Sequence, residues 1–238
     1  MNRKAVILNY TGTVGKTTLA VNLLYPRMVG ATFYAIESIN ETGQDLGVDV
    51  VKLRGDNFRE LFKRFMIDDH AIVDVGASNV EDFMRNLEGF EDAHEEIDYY
   101  VIPVTSGTKE QKETLTMIES LAALGVPPEK IRIIFNRVRR DVKDEFPIIF
   151  NYQAIKQSFW INPDCSVFES ELFDALSIHK MSMATLLNDD NDYKSMLKTH
   201  TATPQERSRW SDMYGLKLLA RGVNRKLDFV FDQLFVEA

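Results

Sequence analysis

Residues 4–18 read KAVILNYTGTVGKTT, and the fold turns on how this stretch is parsed. Lys4 to Leu8 is a nearly continuous apolar run, the pattern of a strand buried on both faces within a parallel sheet. Polar Asn9 ends it and opens a Thr/Gly-rich segment, Asn9 to Thr18. From Lys16 onward the apolar residues Leu19, Ala20, Leu23 and Leu24 recur at helical spacing until Pro26 stops the pattern. Strand, glycine-bearing loop with Gly-Lys-Thr, then helix is an arrangement suited to the phosphates of a nucleotide. Backbone N–H groups wrap the anion, the positive end of the helix adds to the field, and one lysine acts as a point charge on the β and γ phosphates.

Within that loop Lys16 is the expected phosphate lysine, Gly15 lets the backbone approach closely, and the Thr17 hydroxyl is a candidate ligand for Mg²⁺. The pattern GxxxxGK[ST] asks for glycine at position 10, where this chain has Tyr10. The variant KGGxGKT[ST] fits better, with Gly12, Val14, Gly15, Lys16, Thr17 and Thr18 on their positions and Thr11 and Thr13 departing from it. A lone GKT tripeptide arises by chance in loops; here the strand before it and the helix after it argue for nucleotide binding. The expected cofactors are ATP and Mg²⁺, contacted by Thr11, Gly12, Thr13, Val14, Gly15, Lys16, Thr17 and Thr18.

Outward from the loop, strand and helix signals alternate. Strands are expected over 31–36, 48–53, 70–75, 97–104 and 130–135, and helices over 57–66 and 109–124, the latter ended by Gly125. This order predicts an α/β fold with a mostly parallel sheet flanked by helices, functional loops lying at the carboxyl ends of the strands. A single domain is expected over 1–238. The rhythm breaks over 141–193, whose shape the pattern does not reveal. From Pro204 a helical part runs over 204–236, with Leu216, Leu219, Val223, Leu227, Val230 and Leu234 three or four apart. Packing on the sheet is the ordinary reading of that helix, and an interfacial or partner-binding helix the alternative.

Composition sets outer limits. Hydrophobic residues make up 45% and charged residues 27% of 238, the profile of a globular protein. No apolar run reaches the roughly 20 residues of a membrane-spanning helix, so a cytoplasmic location is expected. The one cysteine, Cys165, has no His nearby in sequence and reads as a packed residue. Net charge is −8, yet from Lys194 to Lys226 eight Lys and Arg stand against two acids. Arg221, Arg225 and Lys226 are therefore candidates for weak, salt-sensitive contact with DNA backbone, a solvated helix face being the plainer explanation.

A nucleotide loop of this kind calls for a carboxylate at the end of a second strand to orient the Mg²⁺ shell. HAIVDVG offers Asp74, followed by Gly76. An Asp at a strand end also serves as a turn former. At this point the chain resembles the ParA/MinD family of deviant Walker ATPases, within it the plasmid-stability proteins called StbB. The likeness spans roughly residues 2 to 140.

The resemblance implies several roles. Asp74 takes the Walker B position, so that Lys16, Glu37 and Asp74 form the catalytic set and Thr17 and Asp74 the metal set. Glu37 stands where the family has an Asp that positions the attacking water, although a surface Glu needs no function. Asn136 in IRIIFNRV matches the adenine-recognising Asn, a turn residue being the other reading, and IPVTSGTKEQ matches the loop before that segment. A nucleotide-dependent homodimer and a plasmid-encoded DNA-binding partner protein are also implied.

The family's signature Lys, which reaches across the dimer to the partner's phosphates, is replaced by Thr11. A hydroxyl brings no positive charge to the γ-phosphate, so slow or partner-stimulated hydrolysis is expected, with Arg54, Arg59 or another protein as substitutes. The resulting expectation is a nucleotide switch in plasmid segregation or conjugative transfer. The alternatives are an ATP-sensing adaptor that scarcely hydrolyses, and a small P-loop kinase or ligase.

Overall fold

The computed structural model describes residues 3–36, 48–53, 58–199 and 201–236. Among them seven strands form one sheet: β1 (Arg3–Ile7), β2 (Thr32–Ile36), β3 (Val51–Leu53), β4 (His70–Val75), β5 (Tyr99–Val104), β6 (Ile131–Val138) and β7 (Ser166–Phe168). Their order is β3-β2-β4-β1-β5-β6-β7 and every pairing is parallel. The expected parallel α/β architecture holds. The chain leaves β1 in one direction for β2 and later returns to its other side with β5, which opens a crevice at the carboxyl end of β1.

Parallel pairing explains why the strands read as apolar runs, since both faces are covered. Along β1, Val6 belongs to one packed cluster while Ala5 and Ile7 belong to the other. The first cluster is closed by α2 (Phe58–Ile67), α3 (Val80–Gly89), α4 (Thr108–Ala123) and α6 (Pro147–Lys156). The second is closed by α1 (Lys16–Leu19), which continues as a π-turn over Ala20–Leu24, and by α7 (Glu171–Ile178), α8 (Met183–Leu187) and α10 (Pro204–Leu234).

The stretch 141–193, opaque to periodicity, is a chain of short helices and one edge strand. Four of its five helices are started by a local side-chain cap, the signal that periodicity overlooks, and α6 starts instead with Pro147 in its first turn. Asp141 accepts from the N–H groups of Lys143 and Asp144 to open α5 (Val142–Glu145); Ser170 and Ser182 cap α7 and α8; Asp192 caps α9 (Tyr193–Met196). The long α10 opens with a capping box between Thr203 and Glu206 and with Pro204 in its first turn. Its apolar stripe packs on the sheet, the ordinary reading of that pattern: Leu227, Val230 and Leu234 are buried. No helix among the described residues is long and apolar enough to cross a membrane.

Two cations of the basic-rich and strand regions are structural. The Lys217 ammonium is buried, donates to the backbone carbonyls of Asp189 and Asn191 and lies 5.3 Å from the centre of the Tyr193 ring. Arg132 stacks on Trp160 at 4.2 Å and donates to the Val236 carbonyl at 3.1 Å, holding the end of the chain against the sheet. Cys165 is fully buried beneath α10, and burial pushes its thiol up to about 12. Because only the thiolate is nucleophilic, native protein should resist alkylation at mildly alkaline pH and react in denaturant. Rapid native labelling, read by mass spectrometry, contradicts this placement.

Candidate nucleotide-binding site

The segment after β1 folds as the sequence suggests. Gly12–Val14 is a single 3₁₀ turn, Gly15 adopts φ 84° and ψ 32°, and Lys16 begins α1. That left-handed backbone favours glycine. A second constraint is steric: a Cβ at Gly15 would stand 2.5 Å from Nδ2 of Asn136.

Lys16 is 5% exposed, and its ammonium donates to the carbonyls of Asn9 at 3.1 Å and Thr11 at 2.8 Å. The lysine is thus folded back over the start of its own loop, held by partners that an anion can replace. Asn9 anchors that start. Its amide donates to the Pro103 carbonyl (2.9 Å) and to the Thr114 hydroxyl (2.7 Å), and its Oδ1 accepts from the N–H of Thr11. Tyr10, where a glycine is usual, packs against the core and its hydroxyl pairs with that of Ser120 on α4. The head of the loop is therefore pinned to β5 and α4.

Thr11 donates its hydroxyl to Oε2 of Glu113, whose other oxygen lies 3.5 Å from the Lys109 ammonium. Sequence reading missed Glu113. Nothing in a helical repeat marks one acid of α4 as facing the loop, and only the position of β5 beside β1 brings it there.

Asp74 lies on β4 in register with Ile7 of β1 on one side and Ala35 of β2 on the other, and is 3% exposed. The carboxylate thus sits in the strand next to the one that feeds the loop. Among the described residues, no three His, Cys, Asp or Glu side chains come together as a metal cluster. One hydroxyl, Thr17, and one carboxylate, Asp74, form a donor set compatible with Mg²⁺, which keeps several waters and takes its other ligands from phosphates. Glu37 and Arg54 lie outside the described residues. Arg59 is exposed on α2.

Asn136 ends the regular part of β6 and is 6% exposed. Its amide donates to the Val14 carbonyl at 2.8 Å and its Oδ1 accepts from the N–H of Arg137 at 3.0 Å. It is a clamp on the loop that carries Val14, and its NH₂ carries a second N–H. Arg137 has φ 56°, and the pairing of β6 with β7 shifts between Asn136 and Val138. This irregularity turns the chain outward, a usual device beside binding sites. Gly15, Thr18, Asn136 and Arg137 line a cavity of about 260 Å³ whose far wall is Phe168, Glu169 and Asp174. Arg139 grips Glu169 through two hydrogen bonds of 2.8 and 3.1 Å and holds its carboxyl below the usual range.

The seven-stranded all-parallel sheet flanked by helices is a fold shared with solved ParA- and MinD-type proteins. Solved structures with this fold include the MinD cell division protein of Aquifex aeolicus, at 14% identity and TM-score 0.54, covering 99% of this chain and 98% of that one. The MinC:MinD complex of the same organism gives 14% and 0.55, covering 99% and 96%. A ParA family ATPase from Chlorobium tepidum TLS gives 14% and 0.53, covering 93% and 99%. At such identity the likeness is one of fold. No protein-family model and no curated protein matches the chain.

Proposed function

We propose that this protein binds Mg²⁺-ATP at residues 11–18 and acts as a nucleotide switch, with weak or partner-stimulated hydrolysis. The observation that carries the reading is Lys16, buried at the head of α1 and held by two loop carbonyls beside the left-handed Gly15. A phosphate that displaces those carbonyls would meet a preplaced ammonium, the loop N–H groups and the helix N-terminus. Thr17 and Asp74 would hold the Mg²⁺, which neutralises phosphate charge when bound. The second N–H of Asn136 points to a purine ring in the neighbouring cavity.

The biological setting we favour is plasmid segregation, stability or conjugative transfer, as in the StbB group, through a nucleotide-dependent homodimer and a plasmid-encoded DNA-binding partner. A change in contacts with γ-phosphate is the usual means by which such loops report nucleotide state. The test is turnover of purified protein with Mg²⁺-ATP against Lys16→Ala, with and without DNA. Turnover equal to that of the variant sinks the ATPase reading.

A second reading, an ATP-sensing adaptor, is favoured by one feature. The head of the loop presents a hydroxyl tied to the Glu113 carboxylate where transition-state charge would need a cation. Thr11→Lys should then raise turnover by about tenfold, the scale of a modest electrostatic gain of ~1.4 kcal/mol. Phosphate release and light scattering check this together. If turnover and dimerisation both stay unchanged, the missing charge does not limit the reaction.

A further inference from the structure

Beyond the nucleotide cavity, α10 and the end of β7 enclose an open groove of about 530 Å³ lined by Asp164, Phe168, Arg225, Lys226, Phe229 and Val230. It continues into a smaller hollow along Leu219 and Val223. Phe168 is 46% and Phe229 51% exposed, unusual for large aromatic side chains. Arg225 and Lys226 are exposed, and neither enters an ion pair among the described residues. Of the acids beside the groove, Glu169 is already engaged by Arg139. Two unengaged cations thus border an aromatic trough.

We infer that this groove docks a short acidic segment of a partner protein, anchored by one aromatic or aliphatic side chain between Phe168 and Phe229, and that nucleotide occupancy controls it. Charge complementarity selects the acids, and the apolar walls require an anchor to fill them. Nucleic acid fits the same cations less well. A duplex offers no apolar side chain for the trough, and its continuous phosphates would meet Asp164 and a chain of net charge −8. Arg221, the third basic residue singled out in the sequence, is exposed but is not part of the groove lining.

The coupling rests on the nucleotide reading above and on one shared wall. Phe168, Glu169 and Ser170 line the nucleoside cavity on one side and the groove system on the other. A nucleoside seated against them restricts the Phe168 ring and so shapes the trough. A ligand shifts such an equilibrium only through differential contacts, which this wall provides.

Phage-displayed random peptides are selected on the full-length protein and counter-selected on the Arg225→Glu/Lys226→Glu variant. The expected winners carry Asp or Glu beside one aromatic or aliphatic residue. A labelled winner should bind about tenfold more weakly to that variant and to Phe229→Ala, a loss typical of an interface anchor. Winners without acids, or binding indifferent to both variants, overturn the docking site. A labelled DNA duplex that binds more tightly than any peptide, and is lost in the charge-reversed variant, assigns the face to nucleic acid and also overturns it. For the coupling, a non-hydrolysable ATP analogue should change peptide affinity in the wild type but not in Phe168→Ala. Equal responses in both overturn the coupling. Lys16→Ala separates the readings: if the wild type binds no analogue, the nucleotide reading fails and the coupling with it, while the charge-reversal arm still decides the docking site. Unchanged thermal melting of the surface variants shows that they are folded.

Discussion

Lys16→Ala should weaken Mg²⁺-ATP binding by on the order of 100-fold, the ~2.7 kcal/mol expected when a charge-assisted contact is lost without replacement. The ammonium is the buried cation of the loop, already directed at its mouth by the Asn9 and Thr11 carbonyls. Alanine leaves those carbonyls without their donor and removes the charge that phosphate would meet. Lys16→Arg should recover little, because a planar fork does not fit where a compact ammonium reaches two carbonyls. Calorimetric titration measures the affinities. Wild-type affinity in Lys16→Ala, with the melting temperature intact, places phosphate binding elsewhere.

Gly15→Ala should lower the melting temperature by roughly 10 °C, from a cost of about 3 kcal/mol in a chain of this size. Two terms add. A residue with a Cβ at φ 84° is strained, and that Cβ would stand 2.5 Å from the Asn136 amide, which is itself tied to Val14. The terms are separable by a double-mutant cycle. In an Asn136→Ala background the obstruction is gone and only backbone strain remains, so the penalty should fall to about half. An equal penalty in both backgrounds refutes the steric part. Asn136→Ala alone should loosen the phosphate loop and weaken ATP binding even if no base contact exists, because it removes the Val14 clamp.

The strand and helix boundaries read from periodicity agree closely with the structure where elements are long and apolar. The strand at 70–75 coincides with β4, and the helix at 109–124 differs from α4 by one residue at each end. The strand at 97–104 starts two residues early because Ile97 is buried as part of a turn leading into β5 rather than as ladder. Over 141–193 the pattern failed for a physical reason. Helices of four to ten residues complete too few turns to display a period, and β7 has three residues. The basic stretch from Lys194 to Lys226 was legible as a count but not as a surface, since Lys217 is consumed inside the fold.

The chain alone determined the strand–loop–helix around Gly15 and Lys16 and the alternating α/β order, because both rest on neighbours in sequence: an apolar run, a glycine able to take positive φ, a lysine at the first turn of a helix. Those interactions are local and survive without knowledge of what packs where. Contacts between distant segments had to await the folded sheet. Asn136 reaches Val14 across 122 positions and Glu113 reaches Thr11 across 102. The wall shared by cavity and groove comes from an edge strand that no periodicity announced. Such pairings depend on strand order and on the side of the sheet each helix occupies, which the spacing of apolar residues leaves open.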